Sequence, residues 1–201
     1  MNNLIRKVTI GVFILFFAGC TNGNLPPLKT FKLESSKDCC KIKENRQKLT
    51  IKILEPVTNK HLNTTAIYYS RDKYLLQTYK LSKWSDYPVK MILEVLNSKL
   101  DELNLYDNII TSHIYSNSDY TVQSELISFQ QNIENSKSYV NLKIKFYLIK
   151  NDKEKRVISK TFNYKVLTNS IDSYGAIEAF NKSIDLLVNE LSFWLSNNTK
   201  V

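Results

Sequence analysis

Between Tyr139 and Leu148 apolar and polar residues alternate without a miss, with Val140, Leu142, Ile144, Phe146 and Leu148 set against Asn141, Lys143, Lys145 and Tyr147. Successive side chains of a strand point to opposite faces, so this stretch builds a strand with one dry face and one wet one. Asn151 and Asp152 supply turn residues that tolerate unusual backbone angles, and Ile158, Phe162, Tyr164 and Val166 supply a return strand. The result is a hairpin from Tyr139 to Val166 whose dry face must be covered by other parts of the chain.

Two amphipathic stretches can provide that cover. Val89, Ile92, Leu93, Leu96, Leu100 and Leu103 fall on one side of a helix that starts within Trp84-Ser85-Asp86-Tyr87-Pro88. Ser85 or Asp86 can cap its free N–H groups, and Pro88 fits the first turn. Ile177, Phe180, Ile184, Leu187, Leu191 and Trp194 form the matching stripe of a last helix, led by Ser170 to Ser173 and followed by a frayed polar tail over residues 198–201.

The remaining strands are shorter. Leu28 to Glu34 places Phe31 and Leu33 on one face, and Leu49, Ile51 and Ile53 form a strand before Pro56. Ala66 to Ser70 and Tyr74 to Tyr79 read as a hairpin around Arg71-Asp72-Lys73, with Tyr68, Tyr69, Tyr74 and Tyr79 as sheet-face packing. Ile109 to Ile114 and Thr121 to Phe129 follow; Val122, Leu126, Ile127 and Phe129 break strict alternation, which predicts a bulge. The order is strands, helix, strands, helix, each with a single apolar face. Residues 28–197 therefore read as one α+β domain of two layers, a mainly antiparallel sheet with two long helices packed on one face. The other sheet face, or an edge, is left for a partner.

The first twenty residues decide where that domain works. Arg6 and Lys7 precede an apolar run from Val8 to Phe17, and Ala18-Gly19 stands directly before Cys20. At 1.5 Å per residue, about ten residues cannot cross a hydrocarbon core of roughly 30 Å. Residues 1–19 thus read as a cleaved lipoprotein signal peptide and Cys20 as the lipidated residue, with Phe17 standing where Leu is commoner. Two or three acyl chains hold a protein on a membrane where one does not. The tether over residues 20–27 spans at most about 25 Å, so the domain is expected close to its membrane, facing the periplasm. Thr21 is not Asp, which makes the outer membrane the expected site in a cell with two membranes.

Composition narrows the chemistry. After the tether the only glycine is Gly175, which excludes a glycine-rich phosphate loop, a dinucleotide fingerprint and a G-x-S-x-G elbow. His61 and His113 are the only histidines, and the adjacent Cys39 and Cys40 lack the intervening residues of metal-ligand spacing, so no metal site is expected. The cysteine pair could form a strained vicinal disulfide or pair between chains. Asp101 and Glu102 are helix neighbours that cannot face each other, and no serine has an evident base, so no catalytic set, no cofactor and no enzyme activity are expected. The formal charge of +9 comes from scattered lysines; in an exported chain it suits anionic head groups or an acidic partner, not nucleic acid.

The order and spacing of these landmarks resemble the ABC-type transport auxiliary lipoproteins, which accompany MCE-domain proteins and ABC permeases in Gram-negative envelopes. A lipobox cysteine precedes an aromatic-x-Leu strand, Phe31-Lys32-Leu33, and then an apolar strand ending in Pro56. A Tyr-rich hairpin runs into Trp-x-x-x-Pro, Trp84 to Pro88, and the last helix closes with Phe193-Trp194-Leu195. Family members usually carry Arg-Trp-Ala where this chain has Lys83-Trp84-Ser85, and more glycine and proline. The resemblance implies a non-catalytic docking part of a trans-envelope system for lipids or other hydrophobic compounds. Its partners would be an MCE-domain protein and an ABC permease and ATPase, with self-association into a homo-oligomer left open. Trp84, Pro88 and Trp194 would be packing and capping positions. The competing expectation is a pilotin-like lipoprotein that chaperones a β-barrel or secretin.

Overall fold

The sheet is built around one 15-residue strand, β7 (Tyr120–Glu134). The computed structural model describes residues 26–40, 42, 46–114 and 116–199, so the signal peptide, Cys20 and most of the tether lie outside the described residues. The other elements are β1 (Lys29–Phe31), β2 (Gln47–Ile53), β3 (Val57–Thr58), β4 (Ala66–Asp72), β5 (Leu75–Trp84), α1 (Pro88–Glu102), β6 (Tyr106–Thr111), β8 (Lys137–Lys150), β9 (Val157–Leu167) and α2 (Ser173–Asn198). Along one edge β7 pairs antiparallel with β8, which pairs antiparallel with β9. The other edge is shared in succession by β2, β3 and β4, all parallel to β7. β6 extends the sheet beyond β2, while β5 and then β1 extend it beyond β4.

The long pairings are thus antiparallel and the short ones parallel, which makes a curled mixed sheet within the expected α+β class. Parallel neighbours need long crossovers. The parallel neighbours β2 and β6 are joined only through β3, β4, β5 and α1, and the segment from β5 through α1 carries the chain from the β4–β5–β1 arm of this forked sheet to the β2–β6 arm. The bulge expected near Ile127 is present, as a register shift against β8 between Leu126 and Ser128. It restores the facing of the apolar side chains, so that Val122, Leu126 and Phe129 are all buried.

The alternating run of β8 behaves as its pattern demands. Val140, Leu142, Ile144, Phe146 and Leu148 are at most 1% exposed, and α2 packs across β8 and β9 while α1 covers β6 and touches α2. At the centre, Trp84 meets Phe129 and Phe180 with ring centroids 5.5 and 5.2 Å away, and those two phenylalanines lie 4.2 Å apart.

Several local expectations are corrected. Trp84 is the last residue of β5, not part of a helix start, and the N-cap of α1 is Tyr87 with no side-chain cap; Asp86 instead accepts from the backbone N–H of Tyr87. β6 begins at Tyr106 and ends at Thr111, leaving Ile114 exposed in the following loop. The positive φ of the β8–β9 turn falls on Lys155, because the Asp152 carboxylate accepts from the N–H groups of Glu154 and Lys155. α2 continues through Asn198, and Thr199 is buried with its hydroxyl on Leu195 O and against the Tyr106 hydroxyl, so residues 198 and 199 belong to the fold rather than to a frayed tail.

α2 is capped by Asp172, whose Oδ1 accepts from Gly175 N at 2.9 Å. That bond and one from Ser170 hold the carboxyl below the ordinary carboxylate range. A depressed folded-state pKa stabilises above the unfolded value near 4 and is lost as pH falls through the folded value. Asp172→Ala is therefore expected to lower stability by about 1 kcal/mol at neutral pH. The difference from wild type should shrink in urea titrations run well below pH 4.

Candidate docking surface

The structure scatters the residues singled out in the sequence. Trp84 is buried in the core, Pro88 is the buried first residue of α1, and Trp194 is half-buried with its ring edge-on to Phe162 at 6.3 Å. His61 lies in a short 3-10 turn beside Tyr68, and His113 lies in the loop after β6. Among the described residues no three His, Cys, Asp or Glu side chains come together as a metal site would need.

Cys39 and Cys40 are half-buried free thiols whose sulfurs stand 2.8 Å apart. Burial first, and then the hydrogen bond with Cys39, push the Cys40 thiol up to about 12. A thiol held protonated at neutral pH is a poor nucleophile and a poor metal ligand. The pair belongs to a strap over residues 33–40 that lies against both helices. Leu33 is buried beneath it; Glu34 N donates to Asn181 Oδ1 at 3.1 Å, and Asp185 Oδ1 accepts from Ser35 Oγ at 2.6 Å and Ser36 N at 2.8 Å. Sequence reasoning missed this fastening. Its only trace was two polar residues, Asn181 and Asp185, one helical turn apart beside the apolar stripe. Between strap and α1 runs a groove of about 720 Å³ with Leu33, Met91 and Val95 at its floor and Glu34, Glu94 and Glu102 on its rim.

The opposite side of the molecule is different. On the outer face of β7, β8 and β9 the cross-strand rows are Gln123–Tyr147–Ser159, Glu125–Lys145–Thr161, Ser128–Lys143–Asn163 and Gln130–Asn141–Lys165. Every one of these residues is at least partly exposed, and no described helix covers them. Lysines lie over tyrosine rings here, Lys145 at 4.8 Å from Tyr147 and Lys165 at 3.5 Å from Tyr139. Such stacking keeps long cations extended along the surface. β9 adds an 11-residue strand that, among the described residues, is paired on one side only. Lys160 and Lys165 on that strand are a common guard against unspecific edge pairing. This face is thus polar, and within its rows Lys143, Lys145 and Lys165 outnumber the one carboxylate, Glu125, with Tyr139 and Tyr147 beside the lysines.

The fold is shared with solved proteins. A Xanthomonas campestris protein of the DUF330 family is 14% identical with a TM-score of 0.75, covering 86% of this chain and 95% of that one. A protein described only as uncharacterized is 9% identical with a TM-score of 0.67, covering 85% and 99%. No curated protein matches the chain. No described helix is long and apolar enough to cross a membrane. The sequence profile of one family, described as the ABC-type transport auxiliary lipoprotein component, matches residues 32–192, and the chain belongs to that family.

Proposed function

We propose that this chain is a non-catalytic docking component of an MCE/ABC-type system that moves lipids or other hydrophobic compounds across the envelope. It is anchored through Cys20 in the outer membrane and faces the periplasm. The observation that carries the reading is the helix-free outer face of β7–β9, with Lys143, Lys145 and Lys165 among tyrosines and amides, in a member of a transport-auxiliary family. A face of this charge complements an acidic surface on an MCE-domain assembly, and the lipid anchor holds it at the membrane while an ATPase elsewhere supplies energy.

Purification of the lipidated chain in mild detergent, followed by mass spectrometry, tests the reading. MCE and permease subunits are the expected companions; their absence contradicts it, and a β-barrel or secretin in their place supports the pilotin-like alternative. Two variants sharpen the test. Lys143→Glu with Lys145→Glu should reduce co-purification at least tenfold without changing the melting temperature by more than a few degrees, since both side chains are partly exposed. Cys20→Ser should move the protein from the membrane pellet to the soluble periplasmic fraction; a variant that still pellets contradicts the anchor.

A further inference from the structure

One run of consecutive exposed apolar side chains, Tyr74, Leu75 and Leu76, stands at one end of the sheet. The two-residue turn of the β4–β5 hairpin carries Lys73 and Tyr74, with Leu75 and Leu76 next to it; Tyr74 is 87% exposed and Leu75 53%. Four residues of β4 separate the buried Ile67 from Asp72 at this tip, roughly 16 Å of strand. The β7–β8 turn stands beside it, across a recess lined by Arg71, Asp72, Lys73 and Glu134. β9 ends at the same level, because Leu167, Tyr139, Asn132 and Ser70 share one cross-strand row, and Leu167 is 69% exposed.

β1 lies against the far half of β5, with its N-terminal end directed toward this end of the sheet. β1 is parallel to β5, with Lys29 opposite Ser82 and Phe31 opposite Trp84, and β5 runs away from the tip. The N-terminal end of β1 therefore points toward the tip. At this end of β1 Leu28 and Tyr174 are each 52% exposed, and Lys29 lies 4.7 Å from the Tyr174 ring. Five residues separate Cys20 from Pro26, at most about 20 Å of extended chain.

We infer that the β4–β5 hairpin tip is a second, protein-borne membrane contact: Tyr74, Leu75 and Leu76 dip into the lipid interface of the membrane that holds the Cys20 anchor, with Arg71 and Lys73 on its phosphates. The inference rests on the anchoring reading. Tyrosine with its polar tip suits the headgroup level, and flanking cations reach anionic phosphates from an apolar patch. A tip tethered by the same chain to the anchored membrane acts at high effective concentration, so a contact too weak to hold the domain alone still sets its orientation. The outer face of β7–β9 then stands upright from the membrane, open to a partner arriving through the periplasm.

The test uses the full lipidated chain in vesicles of phosphatidylethanolamine and phosphatidylglycerol with brominated acyl chains as quencher. Tyr74→Trp places a probe at the tip, and Val157→Trp places one at the far end of β9, where Val157 is 54% exposed. After subtraction of the wild-type emission, the probe at 74 should be quenched severalfold more than the probe at 157 and should emit at shorter wavelength. Equal quenching, or none at 74, on a chain whose mass shows lipidation overturns the orientation alone. A chain whose mass shows no lipid overturns the anchoring and the orientation with it.

Discussion

Trp84→Ala is expected to remove about 3–5 kcal/mol of folding stability. The side chain is 1% exposed and meets Phe129 of β7 and Phe180 of α2 in one aromatic cluster, so it joins the fork of the sheet to the helix layer. Truncation leaves a cavity whose walls come from three separate elements, and walls of that kind collapse poorly. Domains of this size hold about 5–15 kcal/mol in total, so the variant should unfold at much lower urea or fail to accumulate. Urea titration followed by circular dichroism measures the cost. Trp194→Ala, on a half-buried ring at the margin, should cost clearly less; equal costs would contradict the central place given to Trp84.

Gly175→Ala should also destabilise, by about 1–3 kcal/mol, against the usual helix preference. In an ordinary helix interior alanine is favoured over glycine by about 1 kcal/mol. Here a Cβ would lie 2.6 Å from Ser170 N and closer still to the Ser170 carbonyl and hydroxyl oxygens. Those atoms belong to the capping loop, where Ser170 Oγ donates to Asp172 Oδ1 at 2.7 Å and the same oxygen accepts from Gly175 N. Relief of the clash must move backbone, and moving it loosens the cap. Thermal unfolding should show a lower melting temperature; a rise would mean that the loop does not pass this close. The one glycine left in the domain is thus accounted for by a close approach, since its φ is not in the left-handed region.

What was legible in the sequence follows physical periodicity. β8 and the stripes of α1 and α2 were readable because each buries a single face against one layer, and the Ile127 bulge was readable as a break in that period. Read from the sequence, β7 ends at Phe129, whereas the strand continues to Glu134. Gln131 is in fact fully buried, with its amide satisfied by Tyr79 and Ser138, and the following turn is made by Asn135 and Ser136 at positive φ. A polar side chain whose partners are supplied from β5 and β8 carries no local signal. The parallel pairings of β2, β3 and β4 with β7 were equally hidden, since partner choice is decided by tertiary packing. For the candidate site, residue periodicity identified the wet faces of β8 and its hairpin partner β9, but not the strap held by Asn181 and Asp185. The hairpin tip was visible only as a Tyr-rich turn, and its meaning came from the direction of β1.

The most direct test of the docking account is site-specific photo-crosslinking in cells, with the reactive residue at Thr161 on the outer sheet face or at Lys182 on the exposed side of α2. The account predicts cross-links from position 161 to an MCE-domain or permease subunit and far fewer from position 182. Cross-links to those subunits from 182 with none from 161, or none to them from either, would contradict it.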